Sequence, residues 1–410
     1  MAPKVEPDII PPQPPLLPVP DDAALAGDAL CPTCATLQLT ARRFVVFPED
    51  RDYQQWSEPN TKAVVLQPVA AVRKNARCPL CRLLLVSLGA GAKGAPDVDR
   101  QGRVLQVAVS WGTTGRIPNR DESWGVLSDV RNLCPSLVVE GGRLPDLDIE
   151  SMNLFPEIAL LANDAPTDTP RAAQPFLPRP VRRDVIDFGL VRRWFSICDA
   201  RHSGVCSSEH TMREMEWVPP EQTVPAFRCV DLQQDCLVVL RDVAGAGGVE
   251  PLRYAALSYV WGRAESDAAF FKTLLSNVAQ REVPGFFASD DSRKRIPRTI
   301  RDAMTVTRRL GLRYLWVDSL CIVQDNSGDD WLDAIRKMDI VYGAAYVTII
   351  AVGSSDAFAG IAGVESGRGP SGDVRTIEQI SDGLRLAFLS ADQTSLGELQ
   401  SVRYYTRGWT

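Results

Sequence analysis

The chain has 410 residues, of which 45% are hydrophobic and 23% charged, and a formal net charge of −6. That length exceeds one ordinary core and predicts two or three domains, while the acidic balance argues against a broad electrostatic grip on nucleic acid or an anionic membrane, so neither partner is expected. No window holds the roughly 20 apolar residues of a membrane helix, the start lacks a charged-then-apolar leader, and ten cysteines in a chain this long make no disulfide scaffold; they are read as thiols or metal ligands in a cytoplasmic, reducing setting.

Residues 1–27 are proline-rich and predict a disordered tail. The region 28–163 reads as cysteine-rich and mixed α+β, with a helix over 78–88 (CPLCRLLLVSL) and a strand over 104–111 (VLQVAVSW). Cys31-Pro32-Thr33-Cys34 and Cys78-Pro79-Leu80-Cys81 are two C-x2-C pairs, and each can chelate a tetrahedral zinc from both ends of a tight turn. The gap between the pairs is longer than in a usual zinc ribbon, so a shared four-cysteine site and unligated thiols both stay open. GAGAKG at 89–94 fits G-x-G-x-x-G, yet it follows a predicted helix and precedes Pro96, which makes it a turn and not a dinucleotide fingerprint.

A second proline-rich stretch at 164–184 predicts a linker or exposed loop. In the flank at 185–249, residues 191–206 read as a helix and 236–243 as a strand. Cys198, His202, Cys206 and His210 recur every four residues along one helical stripe. Such a set spans about 18 Å at 1.5 Å per residue, too far for one ion. Cys198, His202 and Cys206 are therefore candidate ligands only as neighbouring pairs.

The portion 250–410 is the most legible. Tyr254 to Val260 predicts a strand, Pro297 opens a helix, and Ile300, Ala303, Met304, Thr307 and Leu310 share one face of it before Gly311 closes it. YLWVDSLCIV (314–323) reads as a strand covered on both faces. A single helix opened by Asp329 and Asp330 follows, buried through Trp331, Ile335, Met338 and Tyr342, and then a strand over 346–352. Strand, helix, strand, helix, strand predicts an open, mostly parallel α/β sheet with right-handed crossovers and a ligand edge at the carboxyl ends of its strands.

Three stretches in this portion, ALSYVWG (256–262), RYLWVDSLCIVQD (313–325) and RGWT (407–410), resemble in order and form the motifs of the fungal heterokaryon-incompatibility (HET) domain. The resemblance covers about 250–410, with a looser flank in WFSICDARHSGVC. It implies a cytosolic module that mediates recognition of non-self after cell fusion and triggers programmed cell death, working through protein partners and self-association. A more distant likeness of that family to Toll/interleukin-receptor (TIR) domains implies a flavodoxin-like sheet, NAD as substrate and NAD glycohydrolase as the activity to test; fold likeness alone transfers no activity. Two positions depart from the family pattern. The third motif stops at Thr410, and Ala334 stands where the family carries a glutamate, with Asp333 turned about 100° away on the helix.

On this reading the three motifs converge at the strand ends. Asp318 is the candidate catalytic carboxylate, able to hold a ribose hydroxyl or to stabilise the positive charge of a breaking glycosidic bond. Tyr259 and Trp261 offer a flat wall for a nicotinamide or adenine, Gly262 the tight turn, and Ser258, Gln324, Asp325, Arg407 and Trp409 complete the cofactor-binding set. The plainer readings stand beside these: Asp318 as a structural acid accepting hydrogen bonds, the aromatic residues as core, Asp325 as a loop cap. Both histidines lie upstream, so a Ser-His triad on Ser258 is not expected, and Cys321 reads as a buried thiol. Two rival functions remain. One is a non-catalytic scaffold that signals by assembly; the other, opposed by the acidic balance, is a zinc-stabilised nucleic-acid binder.

Overall fold

The computed structural model describes residues 15–46, 63–89, 95–113, 129–141, 145–147, 156–169, 174, 177–182, 184–224, 226–241, 253–262, 271–326, 329–354, 356–365 and 376–389; within these, the side chains of 46, 113, 129, 201–206, 329, 330 and 333 lie outside the description. The strands among them are β1 (Val45–Val46), β2 (Val64–Pro68), β3 (Gln106–Thr113), β4 (Asp129–Val138), β5 (Glu157–Leu160), β6 (Arg228–Asp231), β7 (Cys236–Val239), β8 (Tyr254–Ser258), β9 (Tyr314–Trp316), β10 (Val347–Ile350), β11 (Ile377–Ser381) and β12 (Leu384–Leu389). They divide between two units, one holding residues 15–181 and the β11–β12 hairpin, the other holding 182–365.

In the first unit the strands lie in the order β11-β12-β5-β4-β3-β2, with β1 also on β4, and every pairing is antiparallel. The expected helix is there as Pro79–Leu88, started by a proline at its first position, where the missing N–H costs nothing. Leu80, Leu83, Leu84 and Leu88 fall three and four residues apart on one face, and all are fully buried with Leu105, Val107, Leu133, Ile158, Leu160 and Leu386. Each such leucine contributes about 1.5–3 kcal/mol on leaving water. This stripe, not the sheet alone, makes the core.

The second unit has a five-stranded sheet in the order β10-β8-β9-β6-β7. β10, β8 and β9 are parallel, as the strand-helix alternation predicts. β6 pairs antiparallel with both β9 and β7, so the sheet is mixed, and the open, mostly parallel flavodoxin- or TIR-like sheet is not what forms. The reason lies in the flank: Cys236–Val239 folds back on Arg228–Asp231 as a hairpin, and Asp231 locks it to the β9 side by accepting from Arg313 at 2.6 Å. Arg298–Leu310 forms the crossover helix, with Pro297 at its N-cap and Gly311 ending it at φ 85°, a conformation glycine takes without penalty.

Two expected elements differ locally. The strand from Tyr314 stops at Trp316, and Asp318–Cys321 is a helical turn. Asp318 accepts from its neighbour's backbone, Ser319 N, at 2.6 Å, and the Cys321 sulfur accepts from Val317 N at 3.2 Å; these local bonds displace the ladder. The apolar run reflects burial on all sides, which periodicity cannot tell from a strand. The predicted single helix after it is two, Asp329–Arg336 and Met338–Ala344, broken at Lys337 where the backbone turns to φ −103°, ψ 15°.

The units also cut across the expected boundaries. The hairpin β11–β12, drawn from inside 250–410, joins the first unit by pairing Leu386–Leu389 with Glu157–Leu160, while β6 and β7, drawn from the 185–249 flank, belong to the second unit's sheet. Strand pairing over such separations leaves no local sequence signal.

Candidate functional site

β8 and β9 are adjacent and parallel, and their carboxyl ends carry the first two motifs. Trp261, just beyond β8, donates its indole N–H to Asp318 Oδ2 at 2.9 Å. The other carboxylate oxygen, Oδ1, takes the Ser319 backbone N–H. Asp318 is 9% exposed, so a charge here must be held by donors. Gln324 turns back to donate to Asp318 O and Ile322 O, both at 3.0 Å, and fixes the loop that carries the aspartate.

The remaining expected residues separate by role. Tyr259 is buried and donates from its hydroxyl to Ser319 Oγ at 2.9 Å. Burial pushes its pKa well up, so the phenol stays neutral within the core. Ser258 ends β8, and its carbonyl accepts from Ala351 N. Asp325 caps a loop, accepting from Leu275 N at 2.7 Å. Gly262 has φ 87°, and a Cβ there would come within 2.4 Å of Asp356 Cβ, so the turn after Trp261 needs glycine. Burial raises the Cys321 thiol to about 12, which keeps it protonated and unreactive at neutral pH. Arg407 and Trp409 lie outside the described residues.

Beside the Trp261–Asp318 pair lies a cavity of about 340 Å³, lined by Val260, Trp261, Asp318, Ile322, Gln324, Trp331, Ile335 and Met338. Trp331 was expected only as helix core. Its indole N–H is buried and has no hydrogen-bond partner among the described residues. Lys272 Nζ sits 5.4 Å from the centre of the Trp261 ring. Neither residue carries a sequence signal for a site: Trp331 falls on an ordinary apolar stripe, and Lys272 lies in a loop. Ala334, 8% exposed, packs in the same core and brings no carboxylate to it.

The first unit holds a second arrangement. Cys31, Cys34, Cys78 and Cys81 bring their four sulfurs within 4.8 Å of one another, three of the four residues being buried. The Cys34–Cys81 and Cys31–Cys81 sulfurs are 3.6 and 3.8 Å apart, and all four are free thiols. The set could hold a metal ion. At this spacing four thiolates repel one another, and hydrogen bonds from its neighbours favour the thiolate on Cys78 while the Cys34 thiol is pushed up. Cys198 lies on the Phe188–Cys206 helix and is not a member of this cluster; the side chains of His202 and Cys206 on the same helix lie outside the described residues. His210 faces an arginine, with Arg213 Nη2 3.1 Å from its Nδ1. No helix among the described residues is long and apolar enough to cross a membrane.

No curated protein and no solved structure matches the chain. A family model does match, described as Heterokaryon incompatibility protein (HET) and covering residues 254–410, the stretch that contains both members of the Trp261–Asp318 pair. With its first two motifs meeting at adjacent strand ends, residues 254–410 of the chain match the heterokaryon incompatibility domain.

Proposed function

We propose that this protein acts in the cytoplasm in recognition of non-self and in the cell-death response that follows, and that the cavity beside Trp261 and Asp318 takes the nicotinamide end of NAD. The family match supports the incompatibility role. The observation that carries the ligand is the meeting of an indole and a buried carboxylate at the wall of an apolar cavity. A planar cationic ring gains from both, by stacking and by charge, and the Trp331 N–H, without a partner among the described residues, suits the carboxamide oxygen. Lys272 supplies positive charge for the diphosphate. Asp318 would then stabilise the oxocarbenium-like sugar as the glycosidic bond breaks, nicotinamide leaving with the bonding pair and water adding to the ribose carbon with loss of a proton.

The test is calorimetric titration of the full chain with NAD, alongside nicotinamide release. Saturable binding that Trp331→Phe weakens about tenfold, with release abolished in Asp318→Asn, is the expected result. Absence of heat at millimolar NAD would overturn it.

A second reading has its own observation. Both Asp318 oxygens already accept hydrogen bonds, one from Trp261 and one from Ser319, as a purely structural carboxylate would. On that reading the motifs build the core, and the signal passes through assembly with partner proteins or with further copies of the chain. Unchanged self-association in Asp318→Asn together with absent NAD binding would favour it.

A further inference from the structure

The four-cysteine cluster is tied to a distant piece of chain. We propose that Cys31, Cys34, Cys78 and Cys81 bind one Zn²⁺ as a structural tetrathiolate, and that metal occupancy holds the Pro79–Leu88 helix against the β11–β12 hairpin, so that a segment from inside the family-matched region depends on zinc bound near the other end of the chain.

Three observations carry the metal. A zinc–sulfur distance of about 2.3 Å in a tetrahedron sets neighbouring sulfurs about 3.8 Å apart, and the two sulfur pairs measured above are 3.6 and 3.8 Å apart. That is far from a disulfide, whose sulfurs lie about 2.05 Å apart. Both pairs are built alike, with Cys31 and Cys78 each standing at the N-cap of a helix whose next residue is proline. This places Cys34 and Cys81 in the first turn facing their partners. Finally, the sulfurs receive donors suited to thiolate: Cys34 N donates to Cys31 Sγ at 3.5 Å, and the Gln67 amide reaches Cys81 Sγ at 3.7 Å and Cys31 Sγ at 4.0 Å from the neighbouring strand β2. Outer donors of this kind orient and stabilise metal-bound thiolates. Four sulfurs in tetrahedral array select zinc over the harder divalent ions.

The coupling runs through one residue. Arg82 follows Cys81 directly and makes two forked contacts, to Glu378 on β11 at 2.9 and 2.6 Å and to Asp28 at 2.8 and 2.6 Å. Glu378 is 2% exposed, so this ion pair is worth keeping only while the helix stays in place. Leu384 and Leu386 of β12 lie in the same core as Cys78, Cys81 and Leu84. Loss of the metal frees the first turn of the helix, and with it the arginine that pins the hairpin.

The full chain, purified without chelator, is analysed for metal by mass spectrometry, and its hydrogen exchange is followed before and after removal of metal. Expected are one zinc per chain, protection of these four cysteines from alkylation until the metal is removed, and exchange over 377–389 that speeds up about tenfold or more on removal and is restored by added Zn²⁺. The 298–310 helix of the other unit should not change. Glu378→Gln, which keeps every cysteine, should retain zinc while loosening the hairpin. A chain free of zinc with four alkylatable thiols, or one holding iron, overturns the zinc site; a hairpin whose exchange ignores metal removal overturns the coupling.

Discussion

Trp261 and Asp318, from two different motifs, meet through one hydrogen bond of 2.9 Å at the ends of adjacent parallel strands. Removing either partner alone takes this bond from the other: Trp261→Phe removes one donor from the carboxylate, and Asp318→Ala removes an acceptor from the part-buried indole N–H. A double-mutant cycle in urea should therefore give a coupling energy of about 1–3 kcal/mol. Additive effects of the two substitutions would show that the contact contributes nothing to stability.

Gly262 holds the turn after Trp261 at φ 87°, with Asp356 Cβ only 2.4 Å from where a side chain would begin. Gly262→Ala should cost about 1–3 kcal/mol through the combined backbone and steric strain. Thermal unfolding checks this, and an unchanged Tm would mean that the turn relaxes. Gly285→Ala, equally left-handed at φ 86° but with open space around it, separates the two causes by showing the backbone part alone.

Asp231 joins β6 to β9 by accepting from Arg313 and from the backbone N–H groups of Gln233 and Gln234. Although burial alone would raise it, these donors bring its pKa below the usual carboxylate range. A lowered folded value means stability that is fully present above the unfolded pKa of about 3.9 and is lost as pH falls through the folded value. Acid titration of unfolding should show that loss in the wild type below about pH 4, and Asp231→Asn, less stable at pH 7, should show a shallower acid limb.

Leu386 is fully buried in the core of the first unit, in one cluster with the leucines of the Pro79–Leu88 helix. Leu386→Ala should destabilise the first unit by about 2–5 kcal/mol. Hydrogen exchange resolves the effect by region: protection should fall over 79–88 and 157–160 and persist over 298–310. Loss of protection confined to 298–310 would contradict the assignment of the hairpin.

Much of the site was legible because its determinants are local. The two C-x2-C pairs are fixed by turns of four residues, and the Arg298–Leu310 helix by its apolar stripe, its proline start and Gly311 at its end. The motifs ALSYVWG and RYLWVDSLCIVQD point to adjacent strand ends because parallel strands joined by a helix must align their carboxyl ends. Illegible were Trp331, Lys272 and Gln67, ordinary in sequence and given a role only by what they face.

What the sequence by itself determined is therefore the domain type of residues 254–410, the element types in its most periodic stretches and the chemical kinds of side chain at each end of the chain. Only the tertiary structure decided that both cysteine pairs share one site, that Asp318 sits on a helical turn instead of in a strand, that β6 and β7 make the second sheet mixed, and that β11 and β12 leave their sequence neighbours for the first unit. The physical reason is common to all four. Helices and turns are set by contacts a few residues apart, whereas sheet partners, register and shared ligand sites depend on contacts between segments that are far apart in the chain, whose loop-closure cost is recovered only when the whole core forms.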